Sequence, residues 1–265
     1  MRIITCALTV ATLLAALPPG TAPAQGLGSD ITNEVRQFDV FRGTRKVGHL
    51  RLKIMAVKDL VILDEELAVP FAVRGKACDA GVESQVVYRG AAKPLPQRGK
   101  LTTRVGSFKV MAGTVEFSPS SGGLSAKAEA TGFADIEQNP FETPRTWEKE
   151  LAVPGEVVLT RAAMLYFAPR LLLKPGKIEN VTQLVFPSNF HWPALVSVNP
   201  DCVLQRHPTS LEGTADITLH RVYVGGNIKS LLKMTVDAEN KVVEFCFGSF
   251  TVRPATPSSE AKPAK

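Results

Sequence analysis

Hydrophobic and polar residues alternate along most of the chain, a pattern that predicts β-strands with one buried face. The clearest case lies near the C-terminus, where residues 215–224 alternate and Gly225-Gly226-Asn227 favours the positive φ angles of a tight hairpin turn. Residues 228–236 are predicted as the return strand. Residues 237–240 form a predicted turn before a third strand at 241–252. Three consecutive antiparallel strands must bury one face, so this run predicts a sheet packed against another layer.

The same alternation recurs through the rest of the chain. Further strands are predicted, in chain order, at residues 35–42, 46–57, 60–73, 82–89, 101–105, 108–117, 124–133 and 178–186. Glycine and proline leave only the short strand 82–89 within residues 74–100. Residues 139–154 and 190–211 are predicted as irregular connections because polar residues and proline interrupt them.

One helix is predicted at residues 160–168, with Thr160 as the N-cap and Pro169 as the stop. Ten or more strands and one helix exclude helical bundles and doubly wound α/β folds. The sequence therefore predicts a mainly β protein. The candidate architectures are a β-sandwich, a closed barrel, and a curved antiparallel sheet, or incomplete β-barrel, with the helix on its concave side.

The first 24 residues are typical of a signal peptide. Arg2 precedes an apolar run of about 15 residues, and Ala22-Pro23-Ala24 resembles a cleavage site. The apolar run is shorter than a membrane-spanning helix needs, so no transmembrane segment is expected after cleavage. We expect a periplasmic or secreted protein with one domain at residues 30–254 and a disordered tail at 255–265.

Composition and charge restrict the partners. The chain has 265 residues, 45% hydrophobic and 7% aromatic, with a formal net charge of +6. The basic residues are scattered, whereas nucleic-acid binding favours a concentrated basic patch with interleaved aromatic residues. No nucleic-acid partner is expected.

Three cysteines lie outside the predicted leader, namely Cys78, Cys202 and Cys246. An exported protein forms disulfides readily, and an odd number leaves one thiol over. Cys78 and Cys202 lie in turn-like contexts, which favours a bridge between them. The two other pairings, and no bridge at all, stay open.

Three stretches carry a family resemblance: FDVFRGTRKVGHLRLKI (residues 38–54), the predicted helix with its following Pro-Gly turn (160–176), and the closing run MTVDAENKVVEFCFGSFTVRPAT. Their pattern and order resemble exported bacterial proteins of the class that includes periplasmic lipoprotein carriers and related uncharacterised families. The resemblance covers about half of the chain. It implies a curved antiparallel sheet, an incomplete barrel, whose concave apolar face is lined by a helix and holds acyl chains.

Catalytic and metal-binding motifs are not evident. The four histidines show no helical metal-ligand spacing, and neither a nucleophile elbow nor a phosphate-binding loop is present. Cys202 and His207 are the only Cys/His pair close in sequence, which leaves a thiol enzyme or a metal site as minor alternatives. The sequence therefore predicts neither an enzyme nor a cofactor.

The sequence favours two alternative functions. The first is a periplasmic carrier of a lipid, acyl chain or lipoprotein. Its predicted cavity residues are Met164, Leu165, Phe167, Leu171 and Leu173, with Phe186 and Trp192 near the mouth. The second is a cell-envelope structural or interaction protein whose exposed strand edge recruits an envelope protein partner.

Overall fold

A computed structural model describes residues 31–73, 76–106, 108–133, 143–174, 176–185, 196–209, 213–223 and 226–255. The side chains of Ile31 and of residues 71–78 are not part of that description. The predicted signal peptide and residues 256–265 of the predicted tail lie outside the described residues. By their contacts the described residues form one compact unit.

The described residues contain 15 strands and one helix. The strands are β1 Ile31–Arg42, β2 Arg45–Val57, β3 Leu60–Val73, β4 Lys76–Arg89, β5 Leu95–Val105, β6 Phe108–Ser120, β7 Gly123–Gly132, β8 Arg145–Pro154, β9 Val158–Leu159, β10 Ile178–Val185, β11 Ser197–Pro208, β12 Ala215–Val222, β13 Ile228–Val236, β14 Val242–Phe247 and β15 Phe250–Pro254. The helix is α1, Arg161–Leu171. Within the described part of the chain, no helix is long and apolar enough to cross a membrane.

All strands belong to one curved sheet, in the order β8-β7-β6-β5-β4-β3-β2-β1-β15-β14-β13-β12-β11-β10-β9. Every neighbouring pair is antiparallel except β9 and β10, which are parallel. At one end of the sheet, the Val158 amide of β9 donates to the Pro94 carbonyl, 3.1 Å away, just before β5. The sheet is therefore a nearly closed barrel, and the helix lies on its concave side, as the sequence predicts.

Alternation along each strand separates a buried face from a charged face. On β2, Leu50, Leu52 and Ile54 are buried. Between them, Arg51 and Lys53 point to the opposite face. There Lys53 lies opposite Asp64 and Arg51 opposite Glu66 on β3. Opposite charges on adjacent strands stabilise the outer face modestly and fix the register.

The buried residues form two clusters. The larger one contains nearly all of α1 and the inward residues of β1–β4 and β10–β15. The smaller one lies between β4–β8 and the residues around β9–β11, where alanines of β7 pack against larger side chains. The helix therefore fills the space in one half of the barrel, and side chains of the sheet fill the other half.

Each of the two segments predicted as irregular contains a strand, β8 or β11, which corrects that prediction. In β8, three charged residues lie between Trp147 and Leu151, so the alternation is easily overlooked. In β11, the buried face carries Cys202, Leu204 and an arginine, Arg206, which breaks the apolar pattern. Strong cross-strand pairing overrides these weak local signals.

Two strand boundaries are also corrected. The predicted strand 241–252 is two strands, β14 and β15, because Gly248 adopts φ 54° in a turn between them. The predicted short strand 82–89 is the second half of β4, which begins at Lys76 and pairs with β3 along its length.

The sequence predicts that the helix stops at Pro169. In the structure it continues to Leu171. A proline within a helix has no N–H, so the carbonyl four residues earlier loses its partner. That carbonyl belongs to Leu165, and Arg36 Nη1 of β1 donates to it over 3.2 Å. A side chain from the sheet thus replaces the missing helical hydrogen bond.

Cationic side chains also satisfy the last carbonyls of α1. Lys177 Nζ donates to Leu171 O (2.8 Å), and Arg206 Nη1 donates to Leu172 O (2.7 Å). Positive charge at a helix C-terminus is stabilising because the carbonyl dipoles point there. Arg206, which interrupts the apolar pattern of β11, therefore anchors the end of the helix.

Candidate functional site

The structure places the predicted cavity residues of the helix in the packed core. Met164, Leu165, Phe167 and Leu171 are buried and belong to the larger cluster. Leu173, in contrast, is 62% exposed. Phe186 and Trp192 lie outside the described residues. None of the five predicted residues that the structure describes lines either of the two cavities that follow.

A buried polar contact fixes the start of α1. Thr160 Oγ1 accepts a hydrogen bond from the Ala163 amide (3.2 Å), which is the predicted N-cap interaction. Tyr88 of β4 accepts a hydrogen bond from the Thr160 amide (3.0 Å) and donates one to Thr160 Oγ1 (3.3 Å). Burial raises the pKa of Tyr88 above its usual value, so the phenol stays protonated.

A buried ion pair lies next to this cap. Arg161 Nε is 2.5 Å from Glu65 Oε1 of β3, and their side chains are only 17% and 5% exposed. The guanidinium also lies over the Phe247 ring, 4.8 Å from its centroid. Both charged groups line a cavity of about 110 Å³ whose other walls are mostly aliphatic. Because the two charges compensate each other, this small cavity is best explained as part of the helix attachment.

A much larger groove lies where the sheet ends at β9. Its volume is about 720 Å³, within the range of about 300–1,000 Å³ that is typical of binding sites. Its walls are the β10 edge, parts of β11 and β12, and the segment before β9. The lining residues are Pro154, Gly155, Glu156, Val157, Ile178, Glu179, Asn180, Val181, Thr182, Asp201, Cys202, Val203 and Val222.

The edge of β10 is only partly covered by β9. The two residues of β9 pair with Thr182 and Gln183 alone. Residues 178–181 have no strand beside them on that side among the described residues. The groove therefore runs along an open edge of the sheet, where two of the apolar lining residues, Ile178 and Val222, are 55% and 40% exposed.

Backbone hydrogen bonds define which groups of this edge are free. The Arg206 amide donates to the Lys177 carbonyl, so that carbonyl points toward β11. On the opposite side, the Thr182 amide donates to the Val157 carbonyl (2.8 Å). In an antiparallel strand these directions alternate from residue to residue. The N–H and C=O groups of Ile178 and Asn180 therefore face the groove.

Among the described residues, three carboxylates line the groove, and no lysine or arginine does. A hydrogen bond from Lys93 lowers the pKa of Glu156, whose side chain is exposed. Glu179 lies 3.8 Å from Lys177. Asp201 has neither an ion pair nor a side-chain hydrogen bond with any described residue.

Asp201 also has an unusual backbone. Its φ of 56° is in the left-handed region although it lies within a strand, whereas Lys58 and Asn240, the other such non-glycine residues in the described part of the chain, are in turns. Aspartate tolerates this conformation better than most residues. The conformation breaks the regular alternation of β11 beside the groove.

The cysteine predictions require correction. Cys202 is a buried free thiol, so the structure does not contain the predicted bridge to Cys78, whose side chain is not described. The Cys202 thiol lies 3.4 Å from the Asn199 carbonyl, and burial raises its pKa. A protonated, buried thiol is a poor nucleophile.

The structure does not bring the candidate Cys/His pair together. Cys202 is on the buried face of β11, and His207, an odd number of residues away, is on the other face, 3.2 Å from Thr218 Oγ1. Among the described residues, no three His, Cys, Asp or Glu side chains are grouped closely enough to hold a metal ion.

Sequence reasoning missed the groove because its parts are distant in the chain. The exposed Ile178 of a predicted strand was the one local signal, since an apolar residue on a polar face suggests a contact surface. The open edge depends on where β9 begins, which no local pattern predicts.

Comparisons with protein-family models, with curated proteins and with solved structures found no match.

Proposed function

We propose that the chain is an exported cell-envelope protein that binds an extended segment of a partner protein at the edge of β10. In this mode of recognition, main-chain hydrogen bonds provide affinity and neighbouring side-chain pockets provide specificity. Export is the expectation from the predicted leader, and the partner is an envelope protein.

The observation that carries the proposal is the open edge inside a groove. Ile178 and Asn180 direct backbone donors and acceptors into a groove of about 720 Å³. An incoming strand would pair with these groups and cover Ile178, which is otherwise exposed. Exposed, unpaired strand edges are templates for pairing with another chain.

The other end of the sheet differs in its exposed side chains. The terminal strand β8 carries four exposed charged residues, namely Arg145, Glu148, Lys149 and Glu150. Charged side chains are a common protection of an edge against unwanted pairing. The edge of β10 is therefore the better docking edge.

Carriage of an acyl chain is the alternative function. It needs an apolar cavity beside α1, and the helix residues proposed to line it, such as Met164 and Phe167, are buried in the core. The groove at β10 is partly polar, with three carboxylates, and suits a peptide better than an acyl chain.

Selection from a random peptide library displayed on phage tests the proposal. The full chain is expressed with its own leader, purified from the periplasm, and used as bait. The library is first depleted on an Asn180→Pro variant, which lacks the backbone donor that faces the groove. Since the alternation along β10 directs the Asn180 N–H away from β11, proline should be tolerated there.

Peptides that bind the wild type and not the proline variant are expected. An Asn180→Ser variant keeps the backbone donor and should still bind them. Equal unfolding midpoints of the three proteins show that folding is unaffected. If no peptide distinguishes the proline variant from the wild type, strand addition at β10 is wrong. Mass spectrometry of an organic extract of the same preparation would then test for an acyl ligand.

A further inference from the structure

We infer that the partner segment carries a lysine or arginine that pairs with Asp201, so that the groove selects basic over acidic segments. This inference rests on the strand addition proposed above and specifies the chemistry of the partner.

The first step is the charge of the groove. The part of its lining that the structure describes contains Glu156, Glu179 and Asp201 and no basic residue, although the whole chain has a formal net charge of +6. An acidic groove in a basic protein attracts a local positive charge while the rest of the surface repels it. The charge of the groove is therefore opposite to that of the molecule.

The second step separates the three carboxylates. Glu156 contacts Lys93, and Glu179 lies near Lys177, so rim lysines already compensate both. Asp201 alone has no cationic partner within ion-pair distance among the described residues. The uncompensated charge of the groove is thus located on Asp201.

The third step concerns the distance between an added strand and Asp201. Neighbouring strands lie about 4.8 Å apart, so a strand added to β10 would lie about 10 Å from β11, which carries Asp201. An extended lysine or arginine side chain together with that of aspartate spans this separation. A short cationic group would not.

The fourth step concerns the other positions of the segment. Ile178 and Val222 are exposed apolar residues of the same groove, and Val181 and Val157 are buried beside it. Because successive side chains of a strand point to opposite faces, aliphatic residues should alternate with polar ones around the basic residue. The expected partner is a short β-forming segment with one central Lys or Arg.

The peptides selected above provide the test. Lys and Arg should be enriched over Asp and Glu at one position among those that depend on the β10 edge. The best binder is resynthesised with that residue replaced by Gln or Glu. Binding to the wild type should weaken about threefold with Gln, the scale of one exposed ion pair, and further with Glu.

The matched variant is Asp201→Asn, which keeps the side-chain shape and tolerates the left-handed backbone. This variant should bind the Lys and Gln peptides about equally. A Glu148→Gln variant makes the same change of net charge on β8, outside the groove, and should keep the preference of the wild type. The preference should also fall when ionic strength rises from about 0.05 to about 0.5 M.

The outcomes separate the two proposals. Edge-dependent peptides without a charge preference, or a preference that survives Asp201→Asn, overturn the role of Asp201 and leave strand addition intact. If no edge-dependent peptide is recovered, both proposals are wrong.

Discussion

Replacement of Arg36 by methionine should destabilise the fold, because it removes a hydrogen bond to a carbonyl of α1. The Arg36 guanidinium donates to the buried Leu165 carbonyl, which Pro169 leaves without its helical partner. Loss of a hydrogen bond from a charged donor to a buried acceptor costs about 1.5–3 kcal/mol. We expect about 2 kcal/mol, because the arginine side chain is 20% exposed and methionine retains part of its packing.

A second substitution isolates this contact. Pro169→Ala restores an N–H that reaches the same carbonyl within the helix. In that background, Arg36→Met should cost about 1 kcal/mol less than in the wild type, which is the coupling energy of a double-mutant cycle. Unfolding in urea followed by circular dichroism measures it. With a slope of about 2.5 kcal/mol per M, a coupling of 1 kcal/mol is a midpoint difference of about 0.4 M.

A matched control separates the hydrogen bond from the ion pair. Arg36 Nε also contacts Glu34 (2.6 Å) on the same strand. Glu34→Gln removes that charge and leaves the guanidinium in place, so its cost should be the same with or without Pro169→Ala. If Arg36→Met costs as much in the Pro169→Ala background as in the wild type, the compensation of the proline by the sheet is refuted.

Three further predictions concern stability and are measured by urea unfolding. Gly48→Ala should cost about 2 kcal/mol, because its Cβ would lie 2.0 Å from a carbonyl oxygen of β3. Gly81→Ala, whose Cβ would have its nearest atom at 4.0 Å, should be within about 0.5 kcal/mol of the wild type. Equal costs of the two substitutions would contradict this explanation. Tyr88→Phe should cost about 1–2 kcal/mol by leaving the buried Thr160 amide without its acceptor, and an unchanged midpoint would show the contact to be unimportant. The hydrogen bond from the Arg36 guanidinium lowers the pKa of Glu34, so the stabilising contribution of Glu34 is present above pH 4.5 and is lost as pH falls below that value. The difference in unfolding free energy between the wild type and Glu34→Gln should therefore vanish at acid pH. A difference that stays constant with pH would contradict this assignment.

The strands with regular alternation are predicted by sequence alone. In β2, the buried Leu50, Leu52 and Ile54 alternate with charged residues, and the pattern of a half-buried strand is unambiguous. The N-cap at Thr160 is also predicted correctly, because it depends on contacts within four residues.

Other elements follow from contacts between distant residues. Pro169 is a stop signal in isolation, and it lies within a helix here because Arg36 satisfies the freed carbonyl. Arg206 looks like a solvent-exposed residue, and it is buried because it anchors the end of that helix. In each case a partner far away in sequence reverses the local preference.

The sequence by itself determined the mainly β class, the helix and its starting point, because these depend on periodicity and on short-range capping. Only the tertiary structure decided that the interior is packed with side chains of both the helix and the sheet, and that an open edge lies beside Asp201. Packing volume and the position at which a sheet ends depend on many distant residues at once, and so they have no signature in any local stretch of the chain.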